Sequence, residues 1–404
     1  MESKKEKSKI AKILKGILIA LASIIVVLVV AVVALWHNEI GTMASMKLIR
    51  DRNDAHKDGA VYTMNVQGGF YLDKFVEQGG AQNDKELLNF ITSNITKGLV
   101  KMEMAESNIG CSSFTAKTED GDVLFARNYD FAKTNTCIVT TKARKGHHAT
   151  ISTVDLQFLG IDVDKNVSGF MDKVTCLAAA YAPLDGINDA GVSCGIYMTY
   201  QGKETVPTDQ NTDKPDFTST TLLRFILDYA DDLDEAIEIA QSYDMHDSAN
   251  TSYHYMVADA SGRSAILEWV GENDATDNDG SKRVLKVIYN DDDADIGEME
   301  KSTDYQVVTN FILQPGYYDG LPESEKKGFD RYERIYEELN KTNGIVKDEQ
   351  AAMDILAIVG RRTWNNDDSN GCTVHSVVYN LTDKTVMWVP NENYSDAVFT
   401  YSLK

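Results

Sequence analysis

From Ile17 to Trp36 the chain is an unbroken apolar run of Ile, Leu, Val and Ala, closed by Trp36 and interrupted only by Ser23. Wound as a helix rising about 1.5 Å per residue, this run spans roughly 30 Å, the thickness of a bilayer's hydrocarbon core. It constrains the fold more than any other feature, because it divides the chain into a short head and a long body. The head, residues 1–16, carries Lys4, Lys5, Lys7, Lys9, Lys12 and Lys15 against Glu2 and Glu6. By the positive-inside rule those lysines stay cytoplasmic, and Trp36 suits the far interface. The pattern predicts a single-pass anchor over 17–36 in the cell membrane, with the body outside the cell. The alternatives are a signal peptide cut after Thr42-Met43-Ala44, which would release a secreted body, and a buried core helix. The run is longer than the ~7–15 residues of a usual signal core.

The body supplies the acid. The chain holds 62 Asp+Glu against 40 Lys+Arg, a net charge of −22, the opposite of the basic excess that binding a phosphate backbone requires. Nucleic acid is excluded as a partner on this ground, whereas a homo-oligomer stays open. With 43% hydrophobic residues over 404 positions, there is enough apolar material for a large packed core.

The five cysteines (Cys111, Cys137, Cys176, Cys194, Cys372) are too few and too scattered for a disulfide framework, and their odd number leaves at least one unpaired. Neither a C-x-x-C pair nor a His/Cys cluster at zinc spacing occurs. His147-His148 has no third ligand at metal-site spacing and reads as a solvated loop. The acidic runs Asp274 to Asp279 and Asp291 to Asp295 read as solvated hairpin loops; with Gly280 as the turn glycine of a calcium loop, Ala275 and Lys286 occupy the opening and closing positions that need carboxylates. The glycine patterns that cradle nucleotides are absent too, so no cofactor or metal is expected.

Along the chain, residues 37–110 read as a pro-segment or packing arm, with a helix starting at Asn83-Asp84 and burying Leu87, Leu88, Phe90, Ile91 and Ile95. After Gly110 the pattern changes to short strands with turn punctuation. Cys111 to Lys117 and Val123 to Arg127 flank Asp120-Gly121, a signal for a tight type I′ hairpin. Cys176 to Ala182 with Val192 to Tyr200, Tyr253 to Asp259 with Ser264 to Val270, and Thr373 to Tyr379 with Thr385 to Val389 repeat the theme. Amphipathic helices are predicted over Thr220 to Gln241, Ser324 to Leu339 and Lys347 to Val359. Hairpins mixed with a few helices, without regular strand–helix alternation, give an α+β fold for residues 111–404.

The chemistry concentrates in the first hairpin. A tight turn on Asp120-Gly121 would place Asp130 opposite Cys111, and it would turn Arg127 to the other face unless the strand bulges near Asn128. A guanidinium near a thiol stabilises the thiolate, the form that attacks carbonyls. Were the peptide bond before Cys111 cut, the freed α-amine, with a reference pKa near 7.7–8.0, could serve as general base, oriented by Asp130. The plain alternative is a buried Cys beside a surface Arg-Asp pair.

The run CSSFTAKTEDGDVLFARNYDF resembles the opening of the choloylglycine hydrolase (linear amide hydrolase) family of N-terminal-nucleophile hydrolases, which includes bile salt hydrolases and penicillin V acylases. Asp185-Gly186-Ile187-Asn188-Asp189-Ala190-Gly191 with Gly195-Ile196-Tyr197, then Val308-Thr309-Asn310, then Asp330-Arg331-Tyr332 follow in the family's order, and the resemblance extends over about residues 111–390. It implies a four-layer αββα sandwich. It also implies Cys111 as nucleophile and, through its amine, base, with Arg127 and Asp130 as polar supports and Arg331 as a further cation. Asn310 through its side-chain NH₂ and Tyr197 through its backbone N–H would be the oxyanion donors. Two departures bear on the substrate. The 110 residues before Cys111 require removal of a long pro-piece, and Tyr197 resembles penicillin V acylases where bile salt hydrolases commonly carry Asn. A tyrosine ring there suits stacking on an aryl group or packing along an acyl chain, so aryl-acetyl or fatty-acyl amides are expected ahead of conjugated bile acids. Two other readings stand beside this one: a Cys-His protease using His254 or His375, and a non-catalytic, membrane-tethered binding domain.

Overall fold

The computed structural model describes residues 2–100, 109–202, 204–272, 277–291, 296–297, 299–318, 320–364 and 371–404. Residues 274–276 and 292–295 of the two acidic runs lie outside them. Helix α1 (Glu2–Leu35) is continuous, and among the described residues its stretch Ser8–Leu35 is the one helix long and apolar enough to cross a membrane; none of it is buried. After Trp36 the chain enters α2 (His37–Ser45), where Thr42 and Met43 are buried. The peptide considered for signal cleavage therefore sits inside a packed helix.

The stretch before Cys111 is built into the body. It supplies β1 (Lys47–Arg50), β2 (Val61–Val66), α3 (Leu72–Glu77) and α4 (Asp84–Asn94). Helix α4 starts where the sequence signals it, with the Asn83 side chain accepting from the Glu86 N–H and so satisfying one of the free donors of the first turn.

Next come β3 (Gly110–Thr118), β4 (Val123–Phe131), β5 (Thr136–Thr141), β6 (Thr150–Asp155), α5 (Gly169–Cys176), β7 (Asp185–Asn188) and β8 (Ser193–Met198). The run Cys176 to Ala182, read from the sequence as a strand, is instead the end of α5 followed by a 3-10 turn, Leu177–Tyr181, buried throughout. An alanine-rich apolar stretch with no polar alternation suits a fully buried helix as well as a strand, and here it is the helix. Strands β9 (Asp216–Thr218) and β10 (Asp244–His246) form a small parallel pair around α6 (Ser219–Tyr229) and α7 (Leu233–Ser242). The expected single helix over Thr220 to Gln241 breaks because Asp232 caps a new helix, accepting from the Glu235 N–H.

The remainder comprises β11 (Tyr253–Ala258), β12 (Ser264–Gly271), β13 (Arg283–Tyr289), β14 (Val307–Val308), α8 (Phe329–Asn340), β15 (Ile345–Val346), α9 (Glu349–Ile358), α10 (Arg361–Trp364), β16 (Cys372–Asn380), β17 (Thr385–Pro390) and β18 (Phe399–Ser402). The hairpins β11–β12 and β16–β17 form as the turn signals indicate.

These strands make two large sheets, one of nine strands in the order β1-β2-β5-β6-β7-β8-β11-β12-β13 and one of seven in the order β14-β3-β4-β16-β17-β18, with β15 beside β3. The sheets face each other where β3 meets β8; α6 and α7 pack on the first and α8 and α9 on the second. The result is an α+β fold layered helix, sheet, sheet, helix. The space between the sheets is partly polar. Tyr129 donates to Asp155, Tyr379 to Asp185, Tyr197 to Ser113 and the Trp388 indole to Thr153, each from one sheet to the other. Buried polar groups need such partners, and the pairs fix the sheets in one alignment. All five cysteines are buried and free.

Candidate active site

Cys111 is the second residue of β3, and the β3–β4 hairpin decides what faces it. The connection is not a two-residue type I′ turn. Gly121 donates to the Thr118 carbonyl and takes φ +94°, and Thr118 N–H bonds the Asp122 carbonyl. Glu119, Asp120 and Gly121 thus form a three-residue loop with a left-handed glycine. The ladder consequently pairs Cys111 with Tyr129 and Gly110 with Asp130. This corrects the expected pairing of Cys111 with Asp130 by one residue, and a one-residue slip exchanges faces. Arg127, opposite Ser113, therefore shares a face with Cys111 without any bulge, and Asp130 is on the other.

Arg127 Nη2 lies 3.3 Å from Cys111 Sγ. The guanidinium is held through its two terminal nitrogens and its face: Nη2 donates to the Ile196 carbonyl at 2.6 Å, Nη1 donates to the Leu184 carbonyl and pairs with Asp185 Oδ2 at 3.5 Å, and the Tyr197 ring lies 4.7 Å beneath it. Gly195 is required at this place, since a Cβ would come within 2.7 Å of both Arg127 Nη1 and the Tyr197 hydroxyl.

Along the edge of β3 away from β4, the Cys111 N–H donates to Asn310 Oδ1 at 2.9 Å, and Arg331 donates through Nη1 to the Cys111 carbonyl and through Nη2 to Asn310 Oδ1 at 2.9 Å. Arg331 Nη1 is also 3.3 Å from Asp130 Oδ2, whose other partners are Arg361 Nε at 3.1 Å and, at Oδ1, the Thr373 hydroxyl at 2.7 Å. Gly328, at φ +80°, leaves room for Arg331, because a Cβ there would meet Nη2 at 2.6 Å.

Burial pushes the Cys111 thiol up, outweighing the opposite pull of Arg127. Burial works against the charge of Arg127, yet Cys111 and Asp185 hold its pKa above the ordinary arginine range. Asp185 is also fully buried, which favours its neutral form, but His375 and Arg127 more than offset this and bring its carboxyl down to about 2. In the intact chain the site therefore holds a protonated thiol beside a fixed, charged guanidinium.

All six residues singled out from the sequence come together. Cys111 touches Arg127, Asn310 and Arg331 directly; Asp130 joins through Arg331, and Tyr197 through Arg127. Two details differ from expectation. The Ile196–Tyr197 peptide turns its carbonyl toward the sulfur, 3.8 Å away; the peptide is trans, so the Tyr197 N–H points to the opposite side. The Tyr197 ring, fully buried under Arg127 and edge-on to His254 at 5.8 Å, cannot stack on a substrate aryl group. The Asn310 side-chain NH₂ gives one hydrogen bond to the Met198 carbonyl at 2.7 Å.

The two histidines are engaged elsewhere. His254 bonds Glu268 and the Thr309 carbonyl through its two nitrogens, and His375 Nε2 is 2.8 Å from Asp185 Oδ2. Sequence reasoning missed the roles of Asp185, Arg361 and Thr373. Asp185 lies within the D-G-I-N-D-A-G motif and was within reach of a search for an acid to balance Arg127, whereas nothing local marks Arg361 or Thr373.

The family model of linear amide C–N hydrolases, choloylglycine hydrolase family, matches residues 111–327, opening on Cys111 itself. The chain belongs to this family. Membership makes the protein an enzyme of linear amide hydrolysis. The match stops short of the expected residue 390 and of Arg331, which the fold nevertheless carries into the site. Solved structures similar to this chain include a mutant of the conjugated bile acid hydrolase from Clostridium perfringens, 16% identical with a TM-score of 0.46, covering 72% of this chain and 92% of that one. Penicillin V acylase from Agrobacterium tumefaciens is 17% identical with a TM-score of 0.45, covering 72% and 86%. The Caenorhabditis elegans ortholog of N-acylethanolamine-hydrolyzing acid amidase is 16% identical with a TM-score of 0.38, covering 73% and 100%. No curated protein sequence matches the chain.

Proposed function

We propose that this protein is an N-terminal-nucleophile cysteine hydrolase of N-acyl amides, activated by cleavage between Gly110 and Cys111. The observation that carries this reading is the family match beginning on Cys111 at a residue whose sulfur is 3.3 Å from Arg127. Cleavage by water leaves a carboxylate on Gly110 and an α-amine on Cys111. That amine takes the thiol proton; the thiolate, steadied by Arg127, attacks the substrate carbonyl carbon. The protonated amine then gives its proton to the departing amine as the C–N bond breaks, leaving a thioester. Water, deprotonated by the same amine, hydrolyses the thioester and restores the thiol. Asn310 Oδ1, with Arg331 behind it, orients the amine. The second N–H of the Asn310 side chain is free of Met198 and is the candidate donor to the oxyanion. Asp130 fixes Arg331.

The substrate class is an apolar acyl group, aryl-acetyl or fatty-acyl, joined to a small polar amine, ahead of conjugated bile acids. Support for this now comes from the apolar lining beside Ile196 rather than from the Tyr197 ring. The exposed α1 supports an anchor in the cell membrane, and the lysines at its start support a catalytic body outside the cell. The test is hydrolysis of phenoxyacetyl, dodecanoyl and glycocholate amides by wild-type enzyme and by Cys111→Ala. Turnover of the first two by wild type alone is expected; equal turnover by the variant removes Cys111 as nucleophile.

A further inference from the structure

We infer that helix α4, upstream of the cleavage position, forms one wall of the acyl pocket and stays in the active enzyme, so that Leu87, Leu88 and Ile91 set which acyl groups are accepted. The inference rests on the reading of Cys111 as nucleophile. A partly open cavity of about 50 Å³ is lined on one side by Leu87, Leu88 and Ile91 and on another by Ile109, Leu184 and Ile196, and none of its lining residues carries a charge. It abuts the site: the Ile196 carbonyl is 3.8 Å from Cys111 Sγ, the Leu184 carbonyl receives Arg127, and Ile109 is two residues before Cys111. At ~10–15 Å³ of such volume per water molecule, it holds a few waters or the first carbons of an acyl chain. Cleavage after Gly110 frees Ile109 to move, which lengthens the space open to an acyl chain. An uncharged lining of this kind takes an apolar group and rejects an anionic one.

The wall does not depend on the bond at 110–111. Asp84 Oδ2 accepts from the Ala249 N–H at 2.8 Å. Phe90 packs on Phe75 at 4.9 Å and on Tyr181 at 5.9 Å, and Phe75 reaches Phe225 of α6 at 6.1 Å. Further along, β2 runs parallel to β5 over six paired residues, and Gly59 lies so close to the Thr134 carbonyl that a Cβ would come within 1.5 Å of it. Sheet pairing and aromatic packing of this extent hold a cut segment as they hold any core element.

The experiment uses the full chain, cleaved as it is in the cell, with p-nitroanilides of butyrate and dodecanoate. Both polypeptides should elute together in native buffer and separate only in denaturant. Leu88→Trp, at a half-buried position, should lower the dodecanoyl-to-butyryl ratio of kcat/KM by about tenfold or more, and Leu88→Ala should raise it, as expected when pocket volume decides specificity. Lys85→Trp, on the exposed face of α4, should leave the ratio unchanged. If Leu88→Trp misfolds, Ile91→Val, which should favour the longer acyl group, replaces it. A ratio indifferent to Leu88 and Ile91 in cleaved, folded enzyme overturns the inference while the role of Cys111 stands, and so does full activity after the upstream polypeptide has been washed away. If wild type hydrolyses neither anilide nor any amide of the panel above, the Cys111 reading fails and takes the inference with it.

Discussion

Arg127 Nη2 stands 3.3 Å from Cys111 Sγ because Cys111 pairs with Tyr129 and Arg127 with Ser113. One residue of register, set by Gly121, brings cation and sulfur to the same face between the sheets. The Ile196 and Leu184 carbonyls, Asp185 and the Tyr197 ring then hold the guanidinium in place.

Arg127→Gln should therefore move the pH profile of Cys111 alkylation by iodoacetamide to higher pH, because burial already raises the thiol and Arg127 is what opposes it. The cleaved variant should also lose kcat. An unshifted alkylation profile would show that Arg127 does not stabilise the thiolate.

Asn310 connects the Cys111 N–H, Arg331 and the Met198 carbonyl. Asn310→Ala is expected to lower kcat by roughly 10²–10³ if the side chain also donates to the oxyanion. Asn310→Asp, which keeps the acceptor and loses the donor, separates the two tasks: it should orient the amine yet remain slow. Normal kcat in cleaved Asn310→Asp would restrict Asn310 to holding the amine.

Two buried carboxyls pull the acid stability in opposite directions. Asp185, brought down to about 2, contributes stability that is present above its unfolded pKa of about 3.9 and lost as pH falls through 2, on the order of 2–3 kcal/mol. Asp155 is pushed up to about 6 by burial, against the hydrogen bonds it accepts. Its contribution is full below about 3.9 and lost as pH rises through 6. In melting curves from acid to neutral pH, Asp155→Asn should remove part of the decline between about 4 and 6, and Asp185→Asn part of the rise from about 2 to 4. Slopes identical to wild type in both variants would mean that neither carboxyl titrates as described.

How much of this was legible in the sequence depended on whether the signal was local. Helix α4 announces itself through Asn83 and the spacing of Leu87 and Ile91; the β11–β12 and β16–β17 hairpins do so through alternation and turn residues. The site residues came from matched motifs. The β3–β4 register was not legible, because Asp120-Gly121 suits a two-residue turn as well as the last two positions of a three-residue loop, and only the ladder to Tyr129 and Asp130 distinguishes them. Arg361 and Thr373 reach Asp130 from distant elements, and such contacts leave no periodic trace. The burial of the Tyr197 ring under Arg127 is likewise a matter of which sheet face meets which.

If α1 is an anchor with its lysines inside, protease added to intact cells should digest a tag placed after Lys404 and spare one placed before Met1. The reverse pattern would refute the orientation, and digestion of neither would put the body inside the cell.

The central claim is that the nucleophile becomes the first residue of its own polypeptide. N-terminal sequencing and intact mass of the active enzyme test it directly. The account predicts a polypeptide beginning Cys111-Ser112-Ser113; full activity in a chain whose Gly110–Cys111 bond is intact would contradict it.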